Sequence, residues 1–117
     1  MSPRELECAL EALSLLTHQS ESELGDALAR RLTDSGVEFE REVWLNDTDR
    51  IDFMVGKVGV ELKLKGPVSA VTRQLSRYAQ SARVDTLVLV TTRFAHKAVP
   101  MQLCRKPIKV VYVGSWL

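Results

Sequence analysis

Two short runs of alternating residues, joined by Gly56-Lys57, constrain this chain more than any other stretch of its sequence. Residues 50–55 and 58–64 both alternate apolar side chains with others, which is typical of β-strands. A two-residue Gly-Lys connection predicts a tight hairpin in which Val55 faces Val58. We therefore expect an antiparallel strand pair near the middle of the chain.

The register of this hairpin brings two carboxylates together. It places Asp52 directly opposite Glu61, and the alternation predicts that Ile51 and Phe53 share the other face of their strand. Two facing carboxylates repel each other by a few tenths to about 1 kcal/mol unless a cation lies between them. Because hard oxygen ligands suit Mg²⁺ or Mn²⁺, the pair predicts a divalent-cation site.

Lys63 would lie beside that pair, on the same face as Glu61 and about 7 Å further along the strand. From there its ammonium group can hold an attacking water or offset charge that develops on a phosphate. The alternative is a solvated face whose acids pair with Arg50, Lys63 and Lys65. A sheet with crossover helices rarely leaves a central face open, which favours the cation site.

The remaining patterns predict an α/β fold with a mixed sheet flanked by helices. Apolar residues at helical spacing, with capping residues or Pro at the start, predict helices over residues 2–16, 20–36 and 67–83, and a short one over 93–103. Further strands are expected over residues 37–45, 86–91 and 108–114. We expect the strand that begins at Val58 to be joined through the next helix to a parallel strand that ends at Thr91.

Composition and charge limit the function classes. A chain of 117 residues with 45% apolar content suits one domain, with residues 1–18 as an extra helix and 20–113 as the core. Residues 1–49 carry 12 acids and 4 bases, whereas residues 50–117 carry 12 bases and 3 acids. The excess of bases in residues 50–117 predicts a basic face that could bind a polyanion, although the charges of the two halves can also neutralise each other. With no membrane-length apolar run and no signal sequence, we expect a cytoplasmic protein without a membrane partner.

Asp52, followed after eight residues by Glu61-Leu62-Lys63, resembles the signature of the PD-(D/E)xK nuclease superfamily. This superfamily includes restriction endonucleases, Holliday junction resolvases and RecB-type nucleases, which share an αβββαβ core. The element order predicted over residues 20–113 agrees with that restriction-endonuclease-like core. Ile51 stands where the superfamily's name-giving proline would be, and many members of the superfamily also lack this proline.

The resemblance implies a Mg²⁺- or Mn²⁺-dependent nuclease that hydrolyses phosphodiester bonds, with DNA favoured over RNA. Asp52, Glu61 and the backbone carbonyl of Leu62 would hold the metal, and Lys63 would orient the hydrolytic water. Replication, recombination or repair in a phage or mobile element would suit such a protein. Endonucleolytic or exonucleolytic attack and the structure of the substrate stay open at this point.

Family members often add a glutamate from the first core helix. Two candidates are present, and Glu21 falls on the side of Leu24 and Leu28, whereas Glu23 suits a capping box with Ser20. We therefore expect Glu21 to complete the catalytic shell. The alternative for Glu21 is an acid favoured by the helix dipole.

Gln74 and Tyr78 resemble the Q-x-x-x-Y motif of RecB-type nucleases, whose two side chains lie beside the metal site and the substrate. Their spacing places both on one helical face, although Tyr78 could instead belong to the core. Arg73 and Arg77 repeat at the same spacing and predict phosphate contacts. The predicted nucleic-acid-binding residues are Arg50, Lys65, Arg73, Arg77 and Tyr78.

Two alternatives to a free-standing nuclease remain. The fold could hold nucleic acid or a protein without cutting, in which case erosion of the carboxylate pair or of Lys63 would be expected. The chain could also be a nuclease subunit that acts as a homodimer or within a larger assembly, which fits the lack of a separate DNA-binding domain.

Overall fold

The computed structural model describes Leu6 and residues 20–113, which form an α/β fold with a mixed six-stranded sheet. In chain order the elements are α1 (Glu21–Asp34), β1 (Glu40–Trp44), β2 (Arg50–Val55), β3 (Val58–Lys63), α2 (Val68–Ala79), β4 (Thr86–Thr91), a 3-10 helix (Phe94–Ala98), β5 (Gln102–Leu103) and β6 (Lys106–Tyr112). The α/β prediction is confirmed. The helix expected over residues 2–16 lies outside the described residues, except for Leu6, which is helical and buried. None of the described helices is long and apolar enough to cross a membrane.

The sheet has the strand order β1-β2-β3-β4-β6-β5. β1, β2 and β3 form an antiparallel meander, β3, β4 and β6 run parallel, and β5 returns antiparallel to β6. Because parallel strands end at the same edge, the carboxyl ends of β3, β4 and β6 lie together. The crossover between β3 and β4 through α2 is parallel, as expected.

Among residues 20–113, one α-helix packs on each face of the sheet, so the core has two parts. α1 buries Leu24, Leu28 and Leu32 in the first part, and α2 buries Val71, Leu75 and Tyr78 in the second. The central strand β4 sends alternate residues to the two parts, which explains why "TLVLVT" is apolar without interruption.

Both ends of α1 follow the predicted capping chemistry. Ser20 Oγ accepts a hydrogen bond from the N–H of Glu23 at 3.0 Å. At the other end, Gly36 adopts φ 71°, and the N–H groups of Gly36 and Val37 donate to the carbonyls of Thr33 and Leu32. This is a Schellman arrangement, which ends the helix where a left-handed residue is needed.

Several predicted boundaries are wrong. α2 ends at Ala79 rather than near Arg83, because Ser81 Oγ accepts a hydrogen bond from the N–H of Arg83 and stabilises a turn there. The short helix over residues 93–103 is a 3-10 helix that ends before Pro100, since a residue preceding proline disfavours helical backbone. The two-residue strand β5 that follows was not predicted. The strand expected over 37–45 begins at residue 40, and the last strand begins at residue 106 instead of 108.

The predicted register of the β2–β3 hairpin is confirmed, but the predicted side of the sheet is wrong for Ile51. Val55 pairs with Val58 and Phe53 with Val60, whereas Ile51 joins the part of the core opposite to Phe53. A methyl group built on Gly59 would lie 2.5 Å from Ile51 Cδ1, so the glycine gives this side chain its space. The alternation of core-facing side chains therefore breaks at Asp52, between Ile51 and Phe53.

Candidate functional site

The carboxylate pair lies where β2 and β3 separate. Beyond the Phe53–Val60 pair, each acidic side chain bonds to the backbone of the other strand. Glu61 Oε1 accepts from the N–H of Asp52 at 3.2 Å, and Asp52 Oδ2 accepts from the N–H of Leu62 at 2.8 Å. These reciprocal hydrogen bonds hold the two carboxyl groups against each other.

Burial and mutual repulsion disfavour the charged form of both groups. Glu61 is 3% exposed. Its pKa is raised to about 8, first by burial and then by the charge of Asp52 and hydrogen bonding between the carboxyl groups. Burial also raises the pKa of Asp52, while the hydrogen bond from Leu62 opposes that shift. Both shifts favour retention of a proton by the metal-free pair.

Lys63 supplies the positive charge nearest to this pair in the described part of the chain. Its Nζ lies 3.7 Å from Glu61 Oε2, and its side chain is 22% exposed. The ammonium group is thus close enough to stabilise ionised Glu61 and open enough to meet a ligand. Because Lys63 ends β3, it stands at the carboxyl edge of the parallel strands.

Tyr78 connects α2 to the pair from inside the core. Its hydroxyl oxygen lies 2.9 Å from the carbonyl of Arg50 and 3.1 Å from Glu61 Oε2, and it accepts from Gln74 Nε2 at 2.7 Å. The hydroxyl has one proton for two acceptors, so a proton on Glu61 completes this network. Burial and the charge of Glu61 raise the pKa of Tyr78, which keeps the phenol neutral.

The predicted nucleic-acid contact of Tyr78 does not fit this placement. The side chain is 1% exposed, and a buried ring cannot meet a substrate base or phosphate. Gln74, half-buried beside it, reaches Glu61 only through the Tyr78 hydroxyl. Both residues position Glu61, and we assign neither to the surface that would meet a ligand.

Glu21, at the start of α1, shares a cavity with Asp52. A cavity of about 210 Å³ is lined by both carboxylates and by Leu62. Glu21 Oε1 accepts from the N–H of Leu64 at 3.2 Å, which ties the start of α1 to the end of β3. The negative charge of Glu21 also raises the pKa of Asp52.

The predicted basic residues take different places. Arg77 donates to Asp49 at 3.0 Å and fastens α2 to the turn before β2, so its main contact is structural. The Arg50 guanidinium lies over the ring of Trp44, 5.7 Å from its centroid. Arg73 is exposed on α2, and exposed Lys65 lines the opening next to Glu21.

Sequence reasoning assigned no role to the turn after β4, although this turn contacts the loop after Lys63. His96 is fully buried, and its ring nitrogens lie 2.6 Å from Thr91 Oγ1 and 2.7 Å from the carbonyl of Gly66. The available signal was its position: "TTRFAHK" follows a buried parallel strand, where binding residues often collect.

No family model, curated protein or solved structure matches this chain. Among Leu6 and residues 20–113, no three or more Asp, Glu, His or Cys side chains are grouped so that they could hold a metal ion. Any cation chemistry in the described part of the chain therefore depends on the pair Asp52 and Glu61 and on the groups that contact it.

Proposed function

We propose that this chain is a metal-dependent nuclease of the PD-(D/E)xK type, which hydrolyses phosphodiester bonds of nucleic acid. The order α1-β1-β2-β3-α2-β4 agrees with the αβββαβ core of that superfamily. Asp52 lies on β2 and Glu61-Leu62-Lys63 on β3, which supports the resemblance to its signature. A restriction-endonuclease-like core is part of this proposal.

The observation that carries the proposal is the reciprocal bonding of two largely buried carboxyl groups with a raised pKa. A pair that served stability alone would gain from a full cationic partner, yet Lys63 at 3.7 Å leaves the pKa of Glu61 at about 8. The protein thus keeps two acids together at a cost in stability. Such a cost is expected where the pair serves a ligand that binds the ionised form.

The donor set suits Mg²⁺ or Mn²⁺. Asp52 and Glu61 offer hard carboxylate oxygens, and Mg²⁺ takes one or two carboxylates together with waters and substrate oxygens. The backbone carbonyl of Leu62 would be a further ligand, and Glu21 would hold outer waters. The bound cation would supply Lewis-acid stabilisation of the scissile phosphate.

The protein's own groups have separate tasks in this proposal. Glu61 must lose its proton before it can bind a cation, so affinity for the cation rises with pH through about 8. Lys63 orients the hydrolytic water and stabilises negative charge on the phosphate. The Tyr78 hydroxyl and the N–H of Asp52 fix the two oxygens of Glu61.

The test is cleavage of labelled single-stranded, duplex and branched DNA, and of RNA, with Mg²⁺, Mn²⁺ or chelator. Wild type should cut at least one substrate only with metal, and Lys63→Ala and Asp52→Asn should lose that activity. Lys57→Ala is a matched control, because Lys57 lies at the other end of the hairpin and pairs with Asp85 at 3.8 Å. If no substrate is cut, or all variants cut equally, the nuclease proposal fails and a non-catalytic binding module or an incomplete assembly becomes the better account.

A further inference from the structure

Two exposed aromatic rings lie at the carboxyl edge of the parallel strands, where β3 also ends. Phe94, after β4, is 70% exposed, and Tyr112, at the end of β6, is 41% exposed. Their ring centroids are 5.9 Å apart at an interplanar angle of 88°. Lys97 Nζ lies 5.3 Å from the Phe94 centroid and 5.9 Å from that of Tyr112. We call Phe94, Lys97 and Tyr112 the aromatic platform.

The turn that carries the platform is fixed to the sheet. Buried His96 contacts Thr91 and the carbonyl of Gly66, and the N–H of Arg93 donates to Thr91 Oγ1 at 3.0 Å. Tyr112 is paired with Thr91 across the β4–β6 ladder. These contacts therefore fix the backbone that carries the two exposed rings. The contact with Gly66 also joins the platform to the loop that leaves Lys63.

The charge around the platform favours an anionic partner. No Asp or Glu occurs after Asp85 in the sequence. Arg93 and Lys97 lie on the platform's own turn, whereas Arg105 and Lys106 lie at the start of β6, at the opposite end of that strand from Tyr112. An apolar protein partner would need a way to neutralise Lys97 between the rings, whereas a nucleic-acid strand supplies both phosphates for the cations and flat faces for the rings.

We propose that the aromatic platform stacks unpaired bases of the nucleic-acid strand that reaches the carboxylate site. The inference rests on the proposed nuclease function and narrows its substrate class to strands with an unpaired segment. In an intact duplex both faces of each internal base are covered by neighbouring bases, so Phe94 would have no base to stack on. One stacked base typically strengthens binding by about 5- to 150-fold.

The experiment is fluorescence anisotropy in chelator, where binding is measured without hydrolysis. The probes are a labelled DNA single strand of roughly 12 nucleotides, its blunt duplex, an abasic strand of equal length, and an RNA strand of the same sequence. The variants are Phe94→Ala, Phe94→Leu and Tyr112→Ala. Met101→Ala is the control, because Met101 is an apolar side chain that is 85% exposed outside the platform.

We expect Phe94→Ala and Phe94→Leu to weaken binding of the DNA or RNA strand at least about 5-fold, with the abasic strand and duplex unchanged. Tyr112→Ala should act in the same direction, and Met101→Ala should match wild type. The proposal is overturned if wild type binds no strand, if the variants lose abasic and normal strands equally, or if they bind normally. It is also overturned if sedimentation shows that Phe94 instead mediates self-association.

The two proposals can fail separately. Binding that depends on Phe94 without any metal-dependent cleavage would support base stacking by the aromatic platform and contradict the nuclease proposal. Cleavage that depends on Lys63, with binding unaffected by Phe94, would do the reverse.

Discussion

Replacing Glu61 by Gln should stabilise the metal-free protein at high pH. Folded Glu61 has a pKa of about 8, against 4.5 as its ordinary value, so between these pH values the folded state holds a proton that the unfolded state has lost. The unfolded state then binds fewer protons, and the free energy of unfolding falls as pH rises, by roughly 1.4 kcal/mol per pH unit. Over the roughly three units from pH 5 to pH 8 the full effect is about 4 kcal/mol.

The Glu61→Gln substitution removes this pH dependence while keeping the hydrogen bonds. The new amide oxygen can accept from the N–H of Asp52, and its NH₂ group can donate to the Tyr78 hydroxyl, which then donates to the carbonyl of Arg50. Relaxation around the ionised group reduces the cost of ionising buried Glu61. We therefore expect the stability of Glu61→Gln relative to wild type to increase by about 2–4 kcal/mol as the pH rises from 5 to 8.

Urea unfolding in chelator at pH 5, 7 and 8 measures the difference. Glu38→Gln is the matched control, because Glu38 is exposed, and it should shift the free energy of unfolding by less than about 0.5 kcal/mol. The reasoning is refuted if Glu61→Gln is less stable than wild type at pH 8. A difference that does not change with pH would also refute it.

Three other substitutions test separate contacts. Lys63→Ala should lower cleavage by about 10²–10⁴-fold, while Lys57→Ala keeps it within about threefold; equal losses in single-turnover assays would contradict the role of Lys63. Tyr78→Phe should cost about 1–2 kcal/mol in urea unfolding, because buried acceptors lose the hydroxyl; an unchanged midpoint would contradict the network. Gly59→Ala should cost about 1–3 kcal/mol, because the added methyl would lie 2.5 Å from Ile51 Cδ1; unchanged thermal stability would show that the side chain can move away.

Local chemistry explains what the sequence predicted well. Gly56 with φ 58° suits a two-residue turn, and that turn fixes the register from Val55 and Val58 to Phe53 and Val60. The hydroxyl of Ser20 and the left-handed Gly36 define the ends of α1 in the same way. Such features depend on a few neighbouring residues, so they can be read without the rest of the fold.

The facing of Ile51 could not be predicted because it depends on a neighbouring strand. Glu42 on β1 has φ 52°, and it lies between the residues that pair with Ile51 and Phe53. The positive φ of Glu42 lies level with Asp52, where the alternation of β2 breaks. Period-two alternation assumes an evenly pleated strand, and a positive φ on the partner strand removes that assumption.

The long-range contacts of the site were only partly predictable. Helical spacing placed Glu21 on the side of Leu24 and Leu28, and the structure adds a cavity shared with Asp52 and a hydrogen bond from Leu64. The burial of Tyr78, which rules out a direct substrate contact, depends on how α2 packs against the sheet. The aromatic platform brings together Phe94, after β4, and Tyr112, at the end of β6. These residues are too far apart in the sequence for helix or strand periodicity to predict their contact.

Binding of Mn²⁺ tests the central claim most directly, since it asks whether Asp52 and Glu61 form a divalent-cation site. Titration followed by electron paramagnetic resonance at pH 7 should show one Mn²⁺ bound per chain, with release of protons from the pair. Asp52→Asn and Glu61→Gln should each weaken binding at least about 10-fold, whereas Asp85→Asn, an exposed acid paired with Lys57, should bind as wild type does. Failure of wild type to bind Mn²⁺, or equal binding by all four proteins, would contradict the account.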